Sequence, residues 1–139
     1  MLNYPFKISF GANGDSKPWC GEGWSHDDSE KTHTWMSYVA DLRLPLPRPR
    51  RPLILELDVI PKGNDQDVFI YLNGAFAAFW KVDRPTRMST RVNPILLRPG
   101  ENTVTIVCPR AMPPHDSSGG DKRVLGVAVQ ALQISEAAP

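Results

Sequence analysis

The densest run of chemically capable side chains is Trp19-Cys20-Gly21-Glu22-Gly23-Trp24-Ser25-His26-Asp27-Asp28-Ser29-Glu30-Lys31-Thr32-His33-Thr34-Trp35. Three chemistries are open to it. His26, Asp27, Asp28, Glu30 and His33 are metal-ligand types, but their spacing matches neither an HExxH helix nor an EF-hand loop. Calcium is the ion an Asp-rich loop of this kind would take, and the sequence demands no other cofactor. Asp28 and Glu30 could act as acid and base in a hydrolase if correctly separated. No G-x-S-x-G elbow and no Cys-His-Asn context accompanies them. The third chemistry is sugar recognition: indole faces stack on the apolar faces of pyranoses, and Asp, Asn, Arg or His fix the hydroxyls. Trp19 and Trp24 fall in a loop and are the expected platforms, with His26 and Glu30 as polar contacts. Trp35 and Trp80 fall in strands and are expected in the core. The plainest alternative is a solvated loop whose acids cap turns, with Trp24 and Trp35 pinning it to the core.

A second polar stretch, Pro109 to Lys122, leads into an apolar strand. It supplies His115 and Asp121 as further candidate contacts. Asp121 and Arg123 are two apart and point the same way on an extended chain. Arg123 is expected to contact ligand or to pair with a carboxylate such as Glu30, tying the two long loops together at one rim. Between them, Pro45-Leu46-Pro47-Arg48-Pro49-Arg50-Arg51-Pro52 favours polyproline II. It could dock in an aromatic groove or form a small basic patch. The favoured reading is a stiff connector whose prolines block edge pairing.

The elements that must position these residues are strands. The 14 prolines and 10 glycines are spread along the chain, which excludes long helices. Expected strands are Tyr4–Phe10, Thr32–Leu44, Leu53–Ile60, Val68–Leu72, Ala75–Val82, Arg87–Leu97, Thr103–Cys108 and Arg123–Ile134. In Leu53–Ile60, Leu53, Leu55, Leu57 and Val59 share one face and Glu56 and Asp58 the other, the pattern of a half-buried strand. Pro45 to Pro52 should break the ladder, because proline cannot donate. Asn73-Gly74 suits a type I′ hairpin turn and Arg98-Pro99-Gly100-Glu101 a type II turn. The apolar phase of the last strand shifts near Ala131-Leu132, which points to a bulge or a frayed end. About eight strands joined by short turns must pair mostly antiparallel. Two sheets packed face to face, a jelly-roll sandwich ahead of an Ig-like one, fit best as a single domain over 1–139.

The charge balance, with 16 Lys plus Arg against 15 Asp plus Glu, gives no whole-chain attraction to nucleic acid. No apolar run suits membrane insertion, and no basic segment precedes an apolar core at the start. A cytosolic protein, or a domain cut from a longer exported or membrane protein, is expected. Cys20 and Cys108 are too few for a disulfide scaffold and are expected reduced, with Cys108 a small core residue.

The order of motifs resembles a known family. Gly23-Trp24-Ser25, Glu30 and Trp35 are followed by a hydrophobic strand, Leu72-Asn73-Gly74, Trp80 and Asp121-x-Arg123-x-Leu125-Gly126-Val127-Ala128. This is similar to a β-sandwich accessory domain associated with bacterial membrane glycosyltransferases and cell-surface polysaccharide enzymes, over about residues 23 to 134. Met36 departs from it where Ser is common, and the Pro-Arg segment is an addition. The resemblance implies a galactose-binding-like or carbohydrate-binding-module-like jelly roll that recognises glycans or assists their synthesis, and it implies no catalytic residues. The expected function is a non-catalytic module whose partner is a carbohydrate or a glycan-processing protein. The alternatives are a protein-interaction subunit of a larger complex and a metal-dependent hydrolase.

Overall fold

The computed structural model describes residues 3–63, 65–112 and 123–138. Among the described residues there are ten strands: β1 (Phe6–Ser9), β2 (Trp24–Ser25), β3 (Thr34–Met36), β4 (Val39–Leu46), β5 (Leu53–Pro61), β6 (Gln66–Leu72), β7 (Ala75–Val82), β8 (Thr86–Val92), β9 (Gly100–Val107) and β10 (Val127–Glu136). Short 3-10 turns lie at Lys17–Trp19 and Pro94–Leu96. One sheet has the order β2-β3-β10-β5-β8, with β1 also on β10; the other runs β4-β9-β6-β7. All pairings are antiparallel. The expected all-β sandwich is the observed architecture.

Alternation places the core. Leu53, Leu55, Leu57 and Val59 of β5 are buried, as are Ala40, Leu42, Leu44 and Leu46 of β4 on the facing sheet. The inner faces form one continuous apolar cluster that also takes in Phe6, Ile8 and Phe10. Removing that area from water is the main stabilising term.

β10 carries the expected bulge. Its register on β5 slips between Val129 and Ala131. Val127 and Val129 are buried before the slip, Leu132 and Ile134 after it. The extra residue, Gln130, moves the buried set from odd to even positions. The Asn73-Gly74 turn has φ of 50° and 85°, as a type I′ turn requires.

Three expectations are corrected. Thr32–Leu44 is not one strand: β3 and β4 lie in different sheets, and Trp24–Ser25 adds β2 beside β3. The ladder does not stop at Pro45, since β4 runs to Leu46 with Pro45 opposite Glu101. β4 is the outermost strand of its sheet, so Pro45 needs no second partner for the N–H it lacks. Arg87–Leu97 ends as a strand at Val92, and Asn93 caps the following turn by accepting from the Ile95 N–H at 3.0 Å.

Two asparagines, Asn102 buried and Asn73 half-buried, lock the loop that follows. Asn102 donates to the carbonyls of Arg98 (2.8 Å) and Gly100 (3.0 Å) and accepts from the Arg98 N–H (2.9 Å). Asn73 donates to Asn102 Oδ1 and to the Leu96 carbonyl and accepts from the Thr103 N–H, each at 2.9 Å. Truncating Asn102 strands several buried polar groups at once. Asn102→Ala is expected to lower unfolding free energy by about 2–4 kcal/mol in urea denaturation. A loss below about 0.5 kcal/mol would show that the network is dispensable.

Candidate functional site

The acidic loop is tied down as the sequence indicates. Arg123 presents both terminal nitrogens to Glu30, Nη1 to Oε1 at 3.2 Å and Nη2 to Oε2 at 3.4 Å. His33 Nε2 lies 3.7 Å from Glu30 Oε2. The Glu30 main chain also accepts from the Ala12 N–H, so one residue holds both ends of the loop. The Asp27 carboxylate accepts from the Ser29 N–H and hydroxyl, a local turn cap. His26 is exposed. His115 and Asp121 lie outside the described residues.

The two loop tryptophans are structural neighbours of the core. Trp24 pairs with Met36, and directly opposed residues share a face. Met36 is buried, so Trp24 turns inward. Its ring sits 5.2 Å from Phe10, and its indole N–H donates to the Asp41 carbonyl at 2.8 Å. Trp24 therefore pins the loop across both sheets rather than offering a free face. Trp19 is half-buried and meets Phe6 edge-on at 6.5 Å. Trp35 reverses the expectation made for it. It pairs with Ser25 on the outer face, is only partly covered, and has the His33 ring at 5.9 Å and Lys62 Nζ at 5.9 Å from its centre. Trp80 is packed against the core as expected.

Cys20–Glu22 runs along the outer edge of β4. The Gly21 N–H donates to the Asp41 carbonyl at 2.9 Å, and the Asp41 N–H donates to the Glu22 carbonyl at 3.1 Å. The Asp41 Oδ1 accepts from the Glu22 N–H at 2.7 Å. This contact covers part of the edge of β4. At Gly23, with φ of 91°, a Cβ would lie 1.9 Å from the Val39 carbonyl oxygen, so only glycine fits. Both thiols are free. Burial pushes Cys20 up to about 11 and Cys108 up to about 12 from the ordinary 9.0.

The outer faces of the two sheets differ in kind. On the six-stranded sheet, Lys7, Gln133, Glu56 and Ser89 form one row, and Ser9, Ala131, Asp58 and Arg87 the next. Arg87 grips Asp58 with two bonds of 2.7 and 3.1 Å. On the four-stranded sheet, one row is Val39, Val107, Phe69 and Phe79, and the next is Asp41, Thr105, Tyr71 and Phe76. Phe69 and Phe79 rings lie 4.8 Å apart, Tyr71 and Phe76 5.9 Å. Phe76 is 57% exposed, Phe79 42% and Val39 50%. A regular strand would put Phe76 and Phe79 on opposite faces. The register slip opposite Ile70 and Tyr71 leaves Ala77 unpaired and brings both rings to one side. Sequence reasoning placed these residues in a strand and missed the face they build.

Among the described residues, no three of His, Cys, Asp and Glu converge as metal ligands. Among the same residues, no helix is long and apolar enough to cross a membrane.

No protein-family profile matches the sequence, and no curated protein matches it. Solved structures do. The chain resembles the family 36 carbohydrate-binding domain of a multidomain xylanase from the hindgut metagenome of Trinervitermes trinervoides, at 10% identity and a TM-score of 0.57, covering 96% of this chain and 98% of that one. It resembles a family 6 module of Clostridium stercorarium solved with cellobiose, at 9% identity and a TM-score of 0.57, covering 99% and 98%. It resembles a family 36 module solved with calcium and xylotriose, at 8% identity and a TM-score of 0.53, covering 94% and 99%. The shared property is the fold, a jelly-roll-type β-sandwich.

Two outcomes follow. Glu30→Gln is expected to cost about 1 kcal/mol in denaturant unfolding, since the ion pair is only partly shielded. An unchanged midpoint would show that the tie carries no stability. The raised thiol values mean the folded state holds those protons more tightly than the unfolded state. Their contribution is complete below pH 9.0 and is lost as pH climbs toward 11 and 12. Thermal scans should show the midpoint falling above about pH 9, with less fall in Cys108→Ala. An identical alkaline fall in that variant would contradict the assignment.

Proposed function

We propose that the chain is a non-catalytic carbohydrate-binding module whose binding surface is the outer face of the four-stranded sheet. The observation that carries this is the exposed ring pair Phe76 and Phe79, set beside Phe69 and Tyr71 on a face that the core does not need. Apolar ring surface for the C–H faces of a sugar is flanked by Thr103, Thr105, Asp41 and Arg43, which offer hydroxyl, carboxylate and guanidinium partners. The fold neighbours include modules solved with cellobiose and with xylotriose, which supports the same class of ligand.

In this reading the ring contacts move from Trp19 and Trp24 to the sheet, and Glu30 and Arg123 act as organisers of the rim. Hydrolysis is disfavoured, because Glu56 and Asp58 both lie against Arg87 and Glu30 lies against Arg123. One neighbour was solved with calcium. In this reading the ring face needs no ion, and its carboxylate, Asp41, already accepts from the Glu22 N–H.

Calorimetric titration with soluble xylo-, gluco- and manno-oligosaccharides tests the reading. Wild type should bind at least one series, with affinity unchanged by a chelator. Phe76→Ala/Phe79→Ala should weaken it about tenfold or more at an unchanged melting temperature, as two stacking rings are worth about 1–3 kcal/mol together. Inert behaviour toward every series, or a double variant that binds like wild type, would overturn it. Docking of a partner protein on the same face is the second reading, favoured because Val39, Phe76 and Phe79 offer no polar side-chain atom; a glycan-inert protein with one stoichiometric partner would establish it.

A further inference from the structure

The Pro-Arg connector does more than join two sheets. Arg48 and Pro49 meet Asn93, Pro94, Ile95 and Arg98 around an open groove of about 500 Å3. The groove continues past Asn93 and Pro94 into a second depression of about 340 Å3, lined by Pro52 and Arg91. Arg50 and Arg51 belong to the same connector, and all five arginines are exposed. Among the described residues none of the five enters an ion pair. The Arg98 Nε donates to a main-chain oxygen, that of Glu101, at 3.0 Å. Against a net charge of +1 for the whole chain, five arginines gather at this end, where the ladders place the two acids Glu101 and Glu136 opposite Pro45 and Leu53. Such a concentration draws in and orients an anionic ligand.

The lining is also preorganised. Pro49, Pro52 and Pro94 fix φ, and the Asn73–Asn102 network holds the loop that presents Arg98 and Ile95. Guanidinium groups on a rigid support bind carboxylate or sulfate oxygens in pairs and lose little entropy in doing so. The groove lining carries no aromatic ring, which disfavours single-stranded nucleic acid, whose bases need stacking partners. The two depressions share Asn93 and Pro94 and so form one extended lining, which suits a chain-like ligand. Ile95, 82% exposed, supplies apolar contact at the same lip.

We infer that this basic trough binds an acidic polysaccharide, one whose sugars carry carboxylate or sulfate groups, at a site separate from the aromatic face and independent of it. The test uses affinity electrophoresis and calorimetry of the full chain with polygalacturonate, dextran sulfate, neutral dextran and phosphatidylglycerol vesicles. Wild type should bind at least one anionic glycan, and neutral dextran should be ignored. Raising salt from about 50 to about 200 mM should weaken binding by about tenfold or more, as expected for several released counterions. Arg48→Gln/Arg91→Gln/Arg98→Gln should lose about tenfold or more in affinity with its melting temperature retained. Phe76→Ala/Phe79→Ala should bind the anionic glycan as wild type does. No binding at low salt, equal binding by the triple arginine variant, or binding to vesicles in preference to both glycans would overturn the inference. Loss in the aromatic variant alone would also overturn it, while leaving the carbohydrate reading of the sheet face standing.

Discussion

β10 is hydrogen-bonded along both edges, and the six-stranded sheet takes its register from it. One edge lies on β5 over the strand's whole length. The other is shared end to end, by β3 at Ala128 and Val129 and by β1 from Ala131 to Ile134. The extra residue at Gln130 sits between those two partners, and its carbonyl accepts from the Phe10 N–H at 2.9 Å. Without that residue, Leu132 and Ile134 would point outward and the core would lose one of its central strands. Arg123 lies just ahead of β10, so the Glu30 ion pair fixes the acidic loop to the strand that sets the frame.

Because both inner faces are consumed by the core, recognition is left to outer faces and ends. The outer face of the six-stranded sheet neutralises itself through Arg87, Asp58 and Glu56. That of the four-stranded sheet leaves rings uncovered, and the connector end leaves guanidiniums unopposed. The sandwich thus places apolar and cationic surface on different parts of its exterior, each suited to its own ligand chemistry.

Much of this was legible in the chain. The alternation from Leu53 to Val59, the Asn73-Gly74 turn and the phase slip in the last strand follow from local rules that tertiary context did not override, while the Arg123–Glu30 pair, 93 residues apart, was one of two roles that charge complementarity offered Arg123. What was not legible depended on register. Whether Trp24 or Trp35 faces inward is decided by which of them opposes Met36. Val68–Leu72 is apolar at every position, a pattern that a fully buried strand and a strand with an exposed aromatic face share. Phe76 and Phe79 align only because Ala77 is skipped in the ladder, and no periodicity signals that. Pro45 continues a strand because its edge has no neighbour to satisfy, which is a property of the sheet and not of the residue.

The central claim is that glycan contacts the ring face of the four-stranded sheet. Backbone amide shifts recorded by NMR during titration with the tightest-binding oligosaccharide test it directly. Perturbations concentrated on Phe69–Tyr71 and Phe76–Phe79, with β5 and β8 unmoved, are the predicted result. Shifts confined to the acidic loop around Trp24 and Glu30, with the ring face silent, would contradict it.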